Sequence, residues 1–83
     1  MMSSSSSLDP SVRLREILAE ILDVSPADIH ETFSRDDAPS WDSLAHLRLI
    51  TALEEAFGIR FTMKEVGEMN GYATIRERIA AHR

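Results

Sequence analysis

The sequence contains no cysteine, which excludes disulfides and zinc–thiolate sites and leaves the polypeptide without a thiol of its own for thioester chemistry. Any thiol must be borrowed. Basic residues are also scarce, 9 Lys and Arg against 14 Asp and Glu, and a net charge of −5 repels a phosphate backbone. Nucleic acid is therefore not an expected partner, and basic protein surfaces are the natural complement. No run approaches the roughly 20 apolar residues of a spanning helix, because His46 and Arg48 interrupt the most apolar stretch. No membrane segment is expected, and a cytoplasmic location is the default. The opening MMSSSSS lacks the charged start, apolar core and cleavage site of a signal peptide. Residues 1–8 are expected to be a disordered tail and residues 9–83 a single domain. His30, His46 and His82 have no ligand-like spacing, so no metal site is expected.

At 83 residues, one compact core is all the chain can build, and a large enclosed active site is not expected. Asp9-Pro10 reads as an N-cap and first helical residue, after which Leu14, Ile17, Leu18, Ile21 and Leu22 recur at three-four spacing. Ser25-Pro26-Ala27-Asp28 repeats that start signal briefly before the polar SRDDAPS. Residues 44 to 57 contain neither Gly nor Pro and stop at Gly58, which predicts a central helix of about four turns. Residues 59 to 61 read as a short extended link. Thr62 to Glu65 has the spacing of a capping box, so a short third helix follows. After the break at Asn70-Gly71, Tyr72, Ile75 and Ile79 mark the inner face of a last helix ending near Ala81. The prediction is an all-α fold without strands or repeats.

The connection between the two long helices is an awkward length for a structureless loop in a compact domain. Ile29, Phe33 and Trp41 are three large apolar residues within it, and they predict an ordered loop packed onto the bundle.

On the central helix, Leu49, Leu53 and Phe57 cluster toward the core with Ile50 at the edge, and His46 falls in the same arc as a hydrogen-bonded histidine. Leu44, Leu47, Arg48, Thr51 and Glu55 lie nearly opposite. Either they form a docking surface for another protein, or the long loop folds over them. Ser43 stands in the first turn, where free backbone amides and the helix dipole stabilise a phosphate, and Asp42 beside it is placed to help hold a divalent cation. The plainer reading is that Asp-Ser is an ordinary N-cap. A catalytic triad of Asp42, Ser43 and His46 fails on geometry, since three neighbours on one helix leave no cleft for a substrate.

Taken together, these residues resemble the acyl carrier protein family, including the peptidyl and aminoacyl carrier domains. Asp42-Ser43-Leu44, Leu53-Glu54-Glu55 with Phe57, and the order of long helix, long loop, long helix, short helix and final helix carry the resemblance, which runs from about residue 12 to residue 80. It implies a small four-helix bundle with three longer helices and one short one. It also implies a monomer that performs no catalysis and carries an acyl, aminoacyl or polyketide intermediate as a thioester. The arm would be 4′-phosphopantetheine from coenzyme A, attached to Ser43 by a phosphopantetheinyl transferase. Asp42 would assist modification and Leu44 would help form the partner contact. A cargo-loading ligase or acyltransferase and downstream biosynthetic enzymes would be the other partners. Two features depart from the family pattern. Ser40-Trp41 precede Asp42 where a glycine is common, and Ala45 and Arg48 stand where fatty-acid carriers place acidic residues. A specialised carrier fits that pattern, and an unmodified helical interaction module is the alternative from another class.

Overall fold

Leucine and isoleucine at three-four spacing dominate the start of the described chain, which in the computed structural model runs over residues 10–82. They build α1, Pro10–Leu22, and bury Leu14, Ile17, Leu18, Ala19 and Leu22 along one stripe. The expected tail and the expected cap Asp9 lie outside the described residues. Helix α1 ends as Asp23 enters the left-handed region at φ 56°, a conformation that Asp tolerates better than most side chains. Val24 N–H then donates to the Ala19 carbonyl at 3.1 Å.

Two short 3-10 turns, Pro26–Asp28 and Arg35–Asp37, order the long connection that follows. Ser25 caps the first, its hydroxyl accepting from Ala27 N–H at 3.2 Å. The second lies in the polar segment expected to be irregular. There the Asp37 carboxylate accepts from Ser34 N–H at 2.9 Å, a local bond that apolar periodicity does not report. Ile29, Phe33, Ala38 and Trp41 are buried, so the connection packs onto the bundle as its apolar residues predict. An isolated antiparallel bridge joins Ser34 to Gly71. A side chain at Gly71 would put its Cβ 3.3 Å from the Phe33 carbonyl oxygen, which explains the glycine at this close approach.

Helix α2, Ser43–Phe57, begins one residue earlier than expected because Asp42 provides the cap. It ends at Gly58, whose φ of 65° lets Gly58 N–H donate to the Glu54 carbonyl. Helix α3, Met63–Glu68, starts with the expected reciprocal capping box between Thr62 and Glu65. Helix α4, Tyr72–Ala81, buries Tyr72, Ile75 and Ile79. Among the described residues there are four α-helices and no strand, and the fold is the expected all-α four-helix bundle. Its centre is formed by Leu14, Leu18 and Leu22 of α1, Leu49 and Leu53 of α2, Met69, and the buried face of α4. Ile50, expected at the edge, is buried. Phe57, expected in the core, only packs against its rim with Ile59 and Phe61, because it is the last residue of α2 and the chain turns away at Gly58.

Candidate functional site

The turn into α2 is built from below by aromatic rings. Trp41 is almost wholly buried and stacks on Phe33 at 6.1 Å between centroids and on His46 at 6.0 Å. Its indole N–H donates to His46 Nδ1 at 2.9 Å. The other imidazole nitrogen, Nε2, lies 2.8 Å from the Val66 carbonyl oxygen of α3. A carbonyl can only accept and an indole can only donate, so these two partners select the neutral ring with its proton on Nε2. The Trp41 backbone is fixed as well. Its N–H donates to the Ala38 carbonyl at 2.9 Å, and its carbonyl accepts from Arg35 Nε at 2.9 Å. Ser40 donates its hydroxyl to the Leu22 carbonyl at 2.6 Å, tying the segment to the end of α1.

Above this support the first turn of α2 faces solvent. Asp42 Oδ1 accepts from Ala45 N–H at 2.8 Å and the Asp42 carbonyl accepts from His46 N–H at 2.8 Å, so Asp42 serves as the N-cap. That leaves Ser43 free of capping duty. Ser43 is the first residue of the helix, is exposed, and its hydroxyl has no hydrogen-bond partner among the described residues. A nucleophilic hydroxyl thus stands at the positive end of a 15-residue helix, open to solvent and next to a carboxylate. The cap bond uses Asp42 Oδ1 and not Oδ2.

The expected outer face is also exposed. Leu44 and Leu47 are 65% and 59% exposed, so no described part of the loop folds over them. Leu47, Arg48, Thr51 and Glu55 line a shallow groove with Ile21 of α1 and Ala52, whereas Leu44 sits outside it beside Ser43. Arg48 makes no ion pair among the described residues. Ala45, by contrast, turns inward and is buried, so of the two positions where acidic residues were looked for only Arg48 is a surface position.

The triad reading is excluded by the ring itself. Both His46 nitrogens are engaged, with Trp41 and with Val66, and neither is left to take a proton from Ser43. The sequence placed His46 inside but gave no partner for it. The pairing of Trp41 with His46 across the cap was missed, and a lone Trp five residues before a core-facing His was the available signal. The roles of Arg35 and Ser40 left no sequence signal, since both act through backbone carbonyls brought close only by the fold.

The family model described as phosphopantetheine attachment site matches residues 12–81 of the chain. No curated protein matches it.

Proposed function

The chain belongs to the phosphopantetheine attachment-site family, that of the acyl carrier proteins, and we propose that Ser43 is the residue that receives its arm. Membership makes this a carrier with 4′-phosphopantetheine as its prosthetic group. The observation that supports Ser43 is the division of labour at the start of α2. Asp42 caps the helix, and Ser43, its first residue, is exposed with a hydroxyl that has no hydrogen-bond partner among the described residues. In modification the Ser43 Oγ forms a bond to the phosphorus nearest pantetheine in coenzyme A. The bond to adenosine 3′,5′-bisphosphate breaks, and the hydroxyl proton passes to a base of the transferase. Once attached, the arm supplies the thiol that this cysteine-free chain lacks, on which cargo travels as a thioester.

In this reading the carrier does no chemistry of its own. Asp42 contributes a carboxylate oxygen to the transferase's divalent cation, and Leu44, Leu47, Arg48, Thr51 and Glu55 form the surface met by the transferase, the cargo-loading ligase or acyltransferase and downstream enzymes. Residues 9–83 are the functional unit, and residues 1–8 are dispensable to it. Arg48 marks the partner's charge. An enzyme that presents basic residues to this face meets a guanidinium, which slows encounter, so the dedicated loading enzyme presents a neutral or acidic patch. The cargo is accordingly a specialised acyl, aminoacyl or polyketide unit. Arg48→Glu is expected to slow loading by that enzyme at low salt. The difference should fade as ionic strength rises past about 0.15 M, where screening acts over about 8 Å. Equal second-order rate constants at every salt concentration would remove Arg48 from the partner surface.

The direct test of the attachment residue is intact mass after incubation with coenzyme A, magnesium and a broad-specificity transferase. Wild type should gain one phosphopantetheinyl group and Ser43→Ala none. A wild type that gains nothing would instead favour the unmodified interaction module. Ser43→Ala should stay folded within about 0.5 kcal/mol, as expected for an exposed residue without partners.

A further inference from the structure

The imidazole of His46 is the one hydrogen-bonded link between α2 and α3 among the described residues. It has a second partner, the indole of Trp41, the residue two before Ser43. None of the six residues of α3 is fully buried; Val66 packs partly buried against the core and Met69, which caps the helix, is wholly buried, so the apolar anchorage of α3 is confined to its C-terminal half. Its remaining hydrogen bonds and ion pairs lie near its ends. Thr62 and Glu65 cap the start, Glu65 meets His82 at 2.9 Å, Glu68 pairs with Arg78 at 3.0 Å, and the Asn70 side chain donates to the Gly67 carbonyl at 2.9 Å. An element held this way sits at the low end of local stability and shifts readily. The Trp41 side, in contrast, is fixed by burial, by stacking and by bonds at its N–H and carbonyl.

We propose that His46 is a positioning residue that couples α3 to the Ser43 turn. Displacement of α3 carries the Val66 carbonyl with it. To keep that bond the imidazole must follow, and in following it draws on the indole N–H bonded to Nδ1. Trp41 is one peptide unit from the Asp42 cap, so the strain arrives at the turn that presents Ser43. The Ser43 hydroxyl has no hydrogen-bond partner among the described residues; His46 acts on Ser43 through Trp41. A partner or a cargo that moves α3 thereby alters how the hydroxyl, or an arm attached to it, is presented.

Two substitutions cut the chain of bonds at different points. His46→Asn retains an acceptor near the Nδ1 position and loses the reach to Val66. His46→Gln retains a donor near the Nε2 position and loses the acceptor for Trp41. Thr62→Ala loosens α3 from its far end by removing the cap. The readouts are the indole N–H resonance, unambiguous because the chain has a single tryptophan, the Ser43 amide resonance, and kcat and KM for phosphopantetheinyl transfer. In the wild-type background Thr62→Ala should move both resonances and lower kcat/KM by about threefold, whereas in the His46→Asn and His46→Gln backgrounds it should add nothing. Either background suffices if the other fails to fold. A merely structural His46 predicts the opposite. The effects of Thr62→Ala would then be absent, or equal in all backgrounds, and that result would overturn the proposal. The transfer arm rests on Ser43 as the attachment residue and the resonance arm does not. Failure of wild type to be modified would therefore sink that assignment while the resonances still decide the coupling.

Discussion

The connection between α1 and α2 has no helical turn longer than three residues and yet buries Ile29, Phe33, Ala38 and Trp41, whereas α3 is a regular helix that buries none of its six. Regularity and anchorage are thus separate properties. The irregular segment is fixed by apolar area and stacked rings, and its polar groups are satisfied by bonds that reach Leu22, Asn70 and Tyr72. The helix packs only Val66 partly buried against the core, with the buried Met69 at its cap, and is otherwise fixed by capping and by ion pairs near the surface, which contribute little each. The proposed attachment residue stands on the first kind of support and faces the second kind across His46. A carrier that must hold out a constant target while adapting to successive enzymes has use for both.

The contrast can be broken most severely at Trp41. Trp41→Ala should cost about 3–5 kcal/mol, through lost area, a cavity and an unpaired Nδ1 on His46. That is a large part of the stability of a small domain. Urea midpoints would measure it, and a loss below about 1 kcal/mol would mean that the connection rests on the bundle without supporting it. Thr62→Ala, the corresponding change in α3, should cost only about 1 kcal/mol, the usual value of a cap. Hydrogen exchange should place that loss in α3, with the Trp41 and Ala45 amides still protected in the His46→Asn background.

The smallest effect is electrostatic and appears only in acid. Glu65 is held below the ordinary carboxylate value of 4.5, first by the Thr62 backbone N–H and then by the His82 side chain. Glu31 is likewise lowered, chiefly by its bidentate bond to Arg76. A carboxylate with a depressed folded value contributes stability that is fully present above its unfolded value and lost as pH falls through the folded one. Stability should therefore decline below about pH 4.5, and Glu65→Gln, which keeps an acceptor for Thr62 N–H, should flatten part of that decline. Identical slopes for the two proteins would show that the α3 cap gains nothing from its charge.

Periodicity made the helices legible. Leu14, Ile17, Leu18 and Leu22 define α1, Thr62 and Glu65 define the start of α3, and Gly58 defines the end of α2. Burial in the loop was legible too, from the mere presence of Ile29, Phe33 and Trp41 there. What the sequence could not reveal was pairing across distance. The Arg35 contact to the Trp41 carbonyl, the Ser40 contact to Leu22 and the His46 contact to Val66 each depend on a carbonyl oxygen, and every residue has one. The outward exposure of Leu44 and Leu47 followed from helical phase, whereas the inward turn of Ala45 matters only once a surface role is assigned to its neighbours.

The central claim is that the arm is attached to Ser43, and the rival acceptor nearest to it is Ser40, an exposed residue whose hydroxyl is engaged with the Leu22 carbonyl at 2.6 Å. Tryptic cleavage after Arg35 and Arg48 releases one peptide, residues 36–48, that contains both serines. Fragmentation of that peptide after treatment with coenzyme A and a transferase should place the phosphopantetheinyl mass on Ser43 alone. The mass on Ser40, or on any other peptide, would contradict the account.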